Sequence, residues 1–140
     1  MPKINFELTT PERNVYKEKI DQITLPTKEG EITVLPNHIP LVAVLVPGMA
    51  TLVKNGEESY LAVSGGFIEI QPGSRVIVLA DTAERADELD VEKIEEARKR
   101  AQDALEETRH GDQVSFAEAT ALLERELARL KVARKKKYRR

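Results

Sequence analysis

Few residues in this chain have the type and spacing that chemistry requires. The two histidines, His38 in a Pro-rich turn and His110 at a helix end, fall in different parts of the sequence, and no cysteine is present to join them in a metal site. They read as a polar turn residue and a helix-end cation. Ser64-Gly65-Gly66 lacks the Gly-Lys-Ser/Thr ending and following helix of a phosphate-cradling loop, so these are turn or bulge glycines. Ser64 has no histidine and acid partner at a spacing that nucleophilic catalysis would recognise. No catalytic residue and no metal ligand is assigned, which makes an enzyme acting alone the weakest reading. The remaining chemistry is electrostatic. The run from Lys131 to Arg140 is strongly basic and reads as a solvated terminus, or more sharply as a site for an acidic protein surface. Tyr138 is its one aromatic and the body is not basic, which argues against nucleic acid.

The elements that would position such residues change character near Asp81-Thr82-Ala83. The chain has 140 residues, 41% hydrophobic and 33% charged, but only 4% aromatic, so aliphatic side chains must fill the core. The net charge of −2 conceals an asymmetry: about one residue in five is charged up to Thr82, and about half beyond it. Absence of cysteine excludes disulfides and is compatible with a reducing compartment. The start, Met1-Pro2-Lys3-Ile4-Asn5, shows no apolar signal core, and no run approaches the roughly 18 apolar residues of a membrane span. The expectation is a chain neither secreted by that route nor embedded.

Up to Thr82, turn signals recur about every 8 to 12 residues, the rhythm of a β-sandwich or barrel with about eight to ten short strands. Ile4, Phe6 and Leu8 alternate with Asn5 and Glu7, so the apolar three face a core. Val15 to Leu25 reads as one strand and Glu31 to Leu35 as another, with Pro26 to Gly30 turning the chain between them. Leu41 to Val46 reads as a short buried strand. Asn55-Gly56 marks a hairpin, because both residues tolerate positive φ. Gln71-Pro72-Gly73-Ser74 links Phe67–Ile70 to Arg75–Leu79.

Beyond Ala83 two helices are written out. Asp90 caps the first, with Leu89 and Ile94 placed to form a hydrophobic staple, and Ala97, Ala101, Ala104 and Leu105 continue its apolar stripe. Glu95/Lys99 and Glu96/Arg100 stand at i,i+4, and Arg109-His110-Gly111 ends the helix. Ser115 to Glu118 is a capping box for the second helix, whose stripe is Ala119, Leu123, Leu127 and Leu130. The short connection dictates an antiparallel hairpin. Its first stripe is mostly alanine, and each buried leucine of the second contributes about 1.5–3 kcal/mol before ordering costs, so the folded-back hairpin is expected to be marginal and exchangeable for another packing.

The series Glu29-Gly30-Glu31-Ile32, Leu35-Pro36-Asn37-His38-Ile39-Pro40-Leu41, Pro47-Gly48-Met49, Val63-Ser64-Gly65-Gly66-Phe67 and Val78-Leu79-Ala80-Asp81-Thr82-Ala83 closely resembles the epsilon subunit of the bacterial F-type ATP synthase. The similarity continues through Leu89-Asp90 and His110-Gly111-Asp112 and so spans essentially the whole chain. The resemblance implies a ten-stranded β-sandwich in residues 1–83 that binds the gamma subunit and the c-ring, a hinge in 84–89, and a regulatory helical hairpin in 90–140. It implies a non-catalytic rotor subunit of the central stalk. Such a subunit couples proton flow to ATP synthesis and inhibits ATP hydrolysis when the hairpin extends towards the alpha and beta subunits.

By the same likeness, Lys28, Glu29, Gly30 and Glu31, with Asn37 and His38, would lie at the end facing the c-ring. Many relatives have Pro-Gly-His where this chain has Pro36-Asn37-His38, and Asn tolerates the left-handed backbone that such a turn needs. Arg125, Arg129, Arg134, Lys135, Lys136 and Lys137 would meet acidic segments of the beta subunit, since a helix of about 18 residues spans roughly 27 Å and gives the reach. Some relatives bind regulatory ATP on the folded hairpin; here Glu84, Leu89, Asp90 and Lys93 match that motif, while Ile94 replaces a small alanine. No cofactor is required and no nucleic acid is involved. Membrane association would be through the complex only, at the cytoplasmic face of a bacterial plasma membrane, with a plastid thylakoid the lesser alternative. The competing reading is a free-standing β-sandwich binding module with an oligomerising hairpin, which co-purification with gamma and the c-ring would separate.

Overall fold

The computed structural model describes residues 2–108 and 113–138, with side chains in the second span described for 115–135. Eight strands precede two helices: β1 Ile4–Thr9, β2 Asn14–Ile20, β3 Gln22–Thr27, β4 Gly30–Val34, β5 Leu41–Leu45, β6 Gly48–Lys54, β7 Glu57–Gln71, β8 Arg75–Arg85, α1 Val91–Glu107 and α2 Gln113–Tyr138. The segment expected as one strand from Val15 to Leu25 breaks at Asp21, between β2 and β3. There the Asp21 carboxylate accepts the Asn55 backbone N–H at 2.6 Å and holds the Lys3 ammonium, bonds that a residue inside a regular ladder would not leave free.

Two strands serve both layers of a β-sandwich, which reconciles eight continuous strands with an expectation of about ten. The last half of β7 pairs with β5 and with the first half of β8, which pairs with β1, itself paired with β2, giving the layer β2-β1-β8-β7-β5. The first half of β7 pairs with β6 and the last half of β8, and β6 joins β3 and β4, giving the other layer. Buried positions show where the strands bend. Inward residues run Leu61, Val63 and then Ile68, Ile70 along β7, and Val76, Val78, Ala80 and then Ala83 along β8, so each changes parity at the crossing. Gly66 permits the bend: at φ 133°, a Cβ there would lie 1.9 Å from the Leu79 carbonyl oxygen. Ser64-Gly65-Gly66 is thus a bend between layers. The core between the layers is aliphatic apart from Phe6, with Ile4, Leu8, Ile20, Ile23, Leu25, Leu52 and Ile68 almost fully buried.

The helices make a second, smaller core. The Asp90 side chain accepts from the Glu92 and Lys93 backbone N–H groups at 3.0 and 3.4 Å, capping α1 as its sequence requires. Leu89 and Ile94 are buried together with Leu130, Val132 and Ala133 of α2 and Ala62 of β7. Glu95 pairs with Arg98 and with Arg134 of α2, where an i,i+4 partner, Lys99, was expected. The Arg109-His110-Gly111 ending lies outside the described residues. The second helix begins at Gln113, so Ser115 and Glu118 sit inside its first turns instead of capping it. Leu127, expected in its buried stripe, is 49% exposed, whereas Ala128, Val132 and Ala133 are buried. A stripe read for one partner misplaces residues on a helix that has two, because α2 touches α1 on one side and β6 and β7 on another.

Candidate functional site

Two surfaces of the sandwich differ in what covers them. The outer face of the β3–β4–β6 layer carries Met49, Tyr60 and Ala62, which pack under α2. Two polar contacts hold the helical arm there, and a third ties its two helices together. The Arg129 guanidinium donates to both Glu84 carboxylate oxygens at 2.7 and 2.9 Å and to both of Glu126 at 3.0 and 2.9 Å. Burial alone would lower the Arg129 pKa, but its hydrogen bonds to the two carboxylates raise it above its ordinary value. The Lys135 ammonium stands 5.5 Å from the Tyr60 ring centroid, and Arg134 donates to Glu95 at 2.7 Å. Below the arm, Arg13 bridges the β1–β2 turn to Glu88 at 2.7 Å. Burial of the Glu88 carboxyl opposes ionisation, yet the Arg85 backbone N–H and the Arg13 guanidinium hold its pKa below the usual carboxylate value.

The opposite outer face is bare. On β5, β7 and β8 the cross-strand row Val44, Phe67 and Leu79 is 44%, 59% and 55% exposed, and Val42 in the next row is 70% exposed. Leu35 and Ile39, flanking the Asn37–His38 turn, extend this apolar surface. The expectation of a buried β5 is corrected: Leu45 alone of its residues is buried, and the outward Val42 and Val44 are 70% and 44% exposed. A strand apolar on both faces signals two coverings, one internal and one supplied by another molecule.

The residues expected to face a c-ring do not share one end. Lys28, Glu29 and Gly30 turn β3 into β4 beside Leu45, whereas Asn37 and His38 follow the other end of β4. Five strand residues separate the two turns by roughly 15 Å. Asn37 occupies the left-handed region at φ 67°, as does Ser74 at φ 58°. The two are tied: the Asn37 N–H donates to the Ser74 hydroxyl at 2.7 Å, and that hydroxyl donates to the Asn37 side-chain oxygen at 3.2 Å. Asn37 and His38 therefore border the bare face, leaving Lys28 to Glu31 as a separate exposed turn.

The expected nucleotide residues are also dispersed. Glu84 is clasped by Arg129; Leu89 and Ile94 are buried, Ile94 at 1% exposure; Asp90 is occupied as a helix cap; Lys93 is exposed. A cleft of about 320 Å³ beside Glu84 is lined by Arg125, Arg13 and Asp81 among others, but not by Leu89, Asp90 or Lys93. The Arg125 Nε is buried there without a partner. In this folded-back arrangement Glu84 is taken by Arg129 and Asp90 by the helix cap, and Glu84 alone of the four borders this cleft. Of the basic residues expected to meet an acidic partner, Arg129, Arg134 and Lys135 are engaged within the chain, while the side chains of Lys136 and Lys137 lie outside the described residues. Sequence reasoning missed the Arg129 clasp, although Glu126 and Arg129 stand at i,i+3, because Glu84 comes from a distant strand.

No helix among the described residues is long and apolar enough to cross a membrane. Residues 3–86 match the family described as the ATP synthase delta/epsilon chain beta-sandwich domain, and residues 87–134 match its long alpha-helix domain. The ATP synthase epsilon chain of Chloroflexus aggregans is 43% identical over 98% of this chain and 96% of its own length. That of Herpetosiphon aurantiacus is 43% identical over 97% and 98%. Among solved structures, a chain of the Euglena gracilis mitochondrial ATP synthase OSCP/F1/c-ring assembly superposes with a TM-score of 0.79 at 26% identity, covering 95% of this chain and 82% of that one. A sandwich with one face under a helical arm and the other bare, matched over nearly its whole length, belongs to the ATP synthase delta/epsilon chain family.

Proposed function

We propose that this chain is the epsilon subunit of the ATP synthase central stalk, a non-catalytic rotor component that couples proton flow through the c-ring to ATP synthesis and restrains ATP hydrolysis through its helical arm. The observation that carries the reading is the division of labour between the two sandwich faces. The bare row Val42, Val44, Phe67 and Leu79 is the docking surface for gamma, with His38 at its border. The exposed Lys28–Glu31 turn is the contact proposed for the c-ring.

The arm supplies regulation. Its clasps use the cations that an acidic segment of the beta subunit would attract, so the same charges serve two alternative partners: Arg129 leaves Glu84, and Arg134 leaves Glu95, as the arm extends towards the alpha and beta subunits. ATP enters as a ligand of the arm only once the Arg129–Glu84 pair opens. In this reading the unit 1–83 is the foot, 84–89 the hinge and 90–140 the lever, placed peripherally at the cytoplasmic face of a bacterial membrane through the complex. The test is ATPase activity of the assembled complex carrying the full-length chain or one truncated before Asp90. Truncation is expected to raise hydrolysis while gamma and the c-ring still co-purify; unchanged hydrolysis in a coupled, assembled enzyme overturns the inhibitory role.

A further inference from the structure

The bare sheet face continues beyond its apolar row into territory of different chemistry. Across the ladder, Val42 aligns with Glu69, Ile77, Glu7 and Lys17, and Gln71 aligns with Arg75, Asn5 and Lys19. Side-chain alternation puts Lys17, Lys19 and Arg75 on the outer surface with Val42 and Phe67, because Ile20 beside Lys19 and Val76 beside Arg75 are buried in the core and Tyr16 beside Lys17 packs against it. A groove of about 390 Å³ runs between these three cations. All three are exposed. Among the described residues none of the three forms an ion pair. Glu7 stands directly opposite Lys17, yet its carboxylate accepts from the Asn14 amide at 3.2 Å. Glu18, between the two lysines, points to the other side and pairs with Lys54.

We infer that the partner covering this face presents carboxylates beside an apolar strip, the strip seating on β5, β7 and β8 and the carboxylates entering the groove among Lys17, Lys19 and Arg75. The inference rests on the proposed docking of gamma to this face and adds the chemistry of the contact. A protein surface is favoured over a lipid surface because the cations and the apolar row share one sheet face in register, an arrangement that fits a single shaped partner. Cations at the rim of an apolar patch act mainly by steering encounter, and their effect is screened by salt.

The experiment measures association of the full-length chain with the catalytic head assembled with gamma and lacking epsilon, from low to high salt. The variants are Lys17→Glu/Lys19→Glu/Arg75→Glu, the neutral Lys17→Gln/Lys19→Gln/Arg75→Gln, and Phe67→Asp, each checked for retained β structure. The charge reversal is expected to slow association at low salt by roughly tenfold and to remove its salt dependence, the neutral set doing so in part. Unchanged rate and salt dependence in both charge variants, with Phe67→Asp still weakening binding, overturns the acidic partner and leaves the docking face standing. Unchanged binding by Phe67→Asp overturns the docking face itself. Binding of the wild-type chain to phosphatidylglycerol vesicles that is lost on charge reversal, with head association untouched, overturns the inference in favour of a membrane.

Discussion

Single residues decide how firmly the arm is held. Ile94 fills the small core between α1, α2 and β7. Ile94→Ala is expected to weaken arm packing by about 2–4 kcal/mol, read as faster amide exchange in α1 and α2 with the sandwich unchanged. Titration of the wild-type chain with millimolar ATP is expected to give less heat than titration of Arg129→Ala, since Glu84 is already clasped by Arg129 in the wild type. Arg129→Ala would strip the buried Glu126 carboxylate and Glu84 of their cation, a loss of about 1–3 kcal/mol that also favours release of the arm. Three carboxylates set the response to acid. Lys3 lowers the Asp21 pKa and Lys54 that of Glu18, while Glu88 is lowered by Arg85 and Arg13 against the cost of its burial. Folded-state values below the unfolded ones mean that their contribution is present above about pH 4 and is lost as pH falls further. Thermal melts should therefore be flat near neutrality and drop on acidification. Tyr16 moves the other way, pushed up to about 12 by burial and by its bond to Glu18, and stays neutral throughout that range.

At the scale of elements, the two modules have unequal means of staying folded. The sandwich encloses Ile, Leu, Val and Phe side chains on strands paired across two layers, whereas the arm's core rests on Leu89, Ile94, Leu130 and Val132 with the alanines Ala62 and Ala133. Alanine lets helices approach closely but removes little apolar surface from water. Phe116, Leu122 and Leu127 on α2 remain exposed, so part of the helix's apolar content is unused in the folded-back state and available to another packing. Amide exchange of the isolated chain is expected to show α1 and α2 opening well before β7 and β8; equal protection of both modules would contradict an exchangeable arm. The bends in β7 and β8 belong to the same scale, since they carry one pair of strands through both layers, from the bare face to the strand end that holds Glu84.

For the whole molecule, the separation of the two outer faces is what would let the proposed docking and regulation take place at once. The arm occupies the face with Met49 and Tyr60, and its release leaves the face with Val44 and Phe67 untouched. Phe67→Asp puts a charge at the centre of the bare row and is expected to cost about 2 kcal/mol or more of association with gamma, seen as loss of co-purification at limiting concentration, while melting of the free chain changes little. Truncation of the arm should do the reverse.

Local signals gave much of this fold to the sequence alone. Alternation in Ile4–Leu8, the Asn55-Gly56 hairpin and the Asp90 cap with its Leu89–Ile94 staple are each settled within a few residues, and the structure realises them. Ordered short motifs also sufficed to place the chain in its family. What lay out of reach depends on residues far apart in sequence. Whether Val15 to Leu25 is one strand or two turns on Asn55 and Lys3 meeting Asp21; which end of β4 holds His38 turns on chain direction; and the Arg129 clasp needs Glu84 brought beside α2. The bare face is the clearest case. The apolar run of β5 reads as buried, and only the packing of two layers shows that one side of it faces outward, because burial is a property of what the rest of the chain places against a residue.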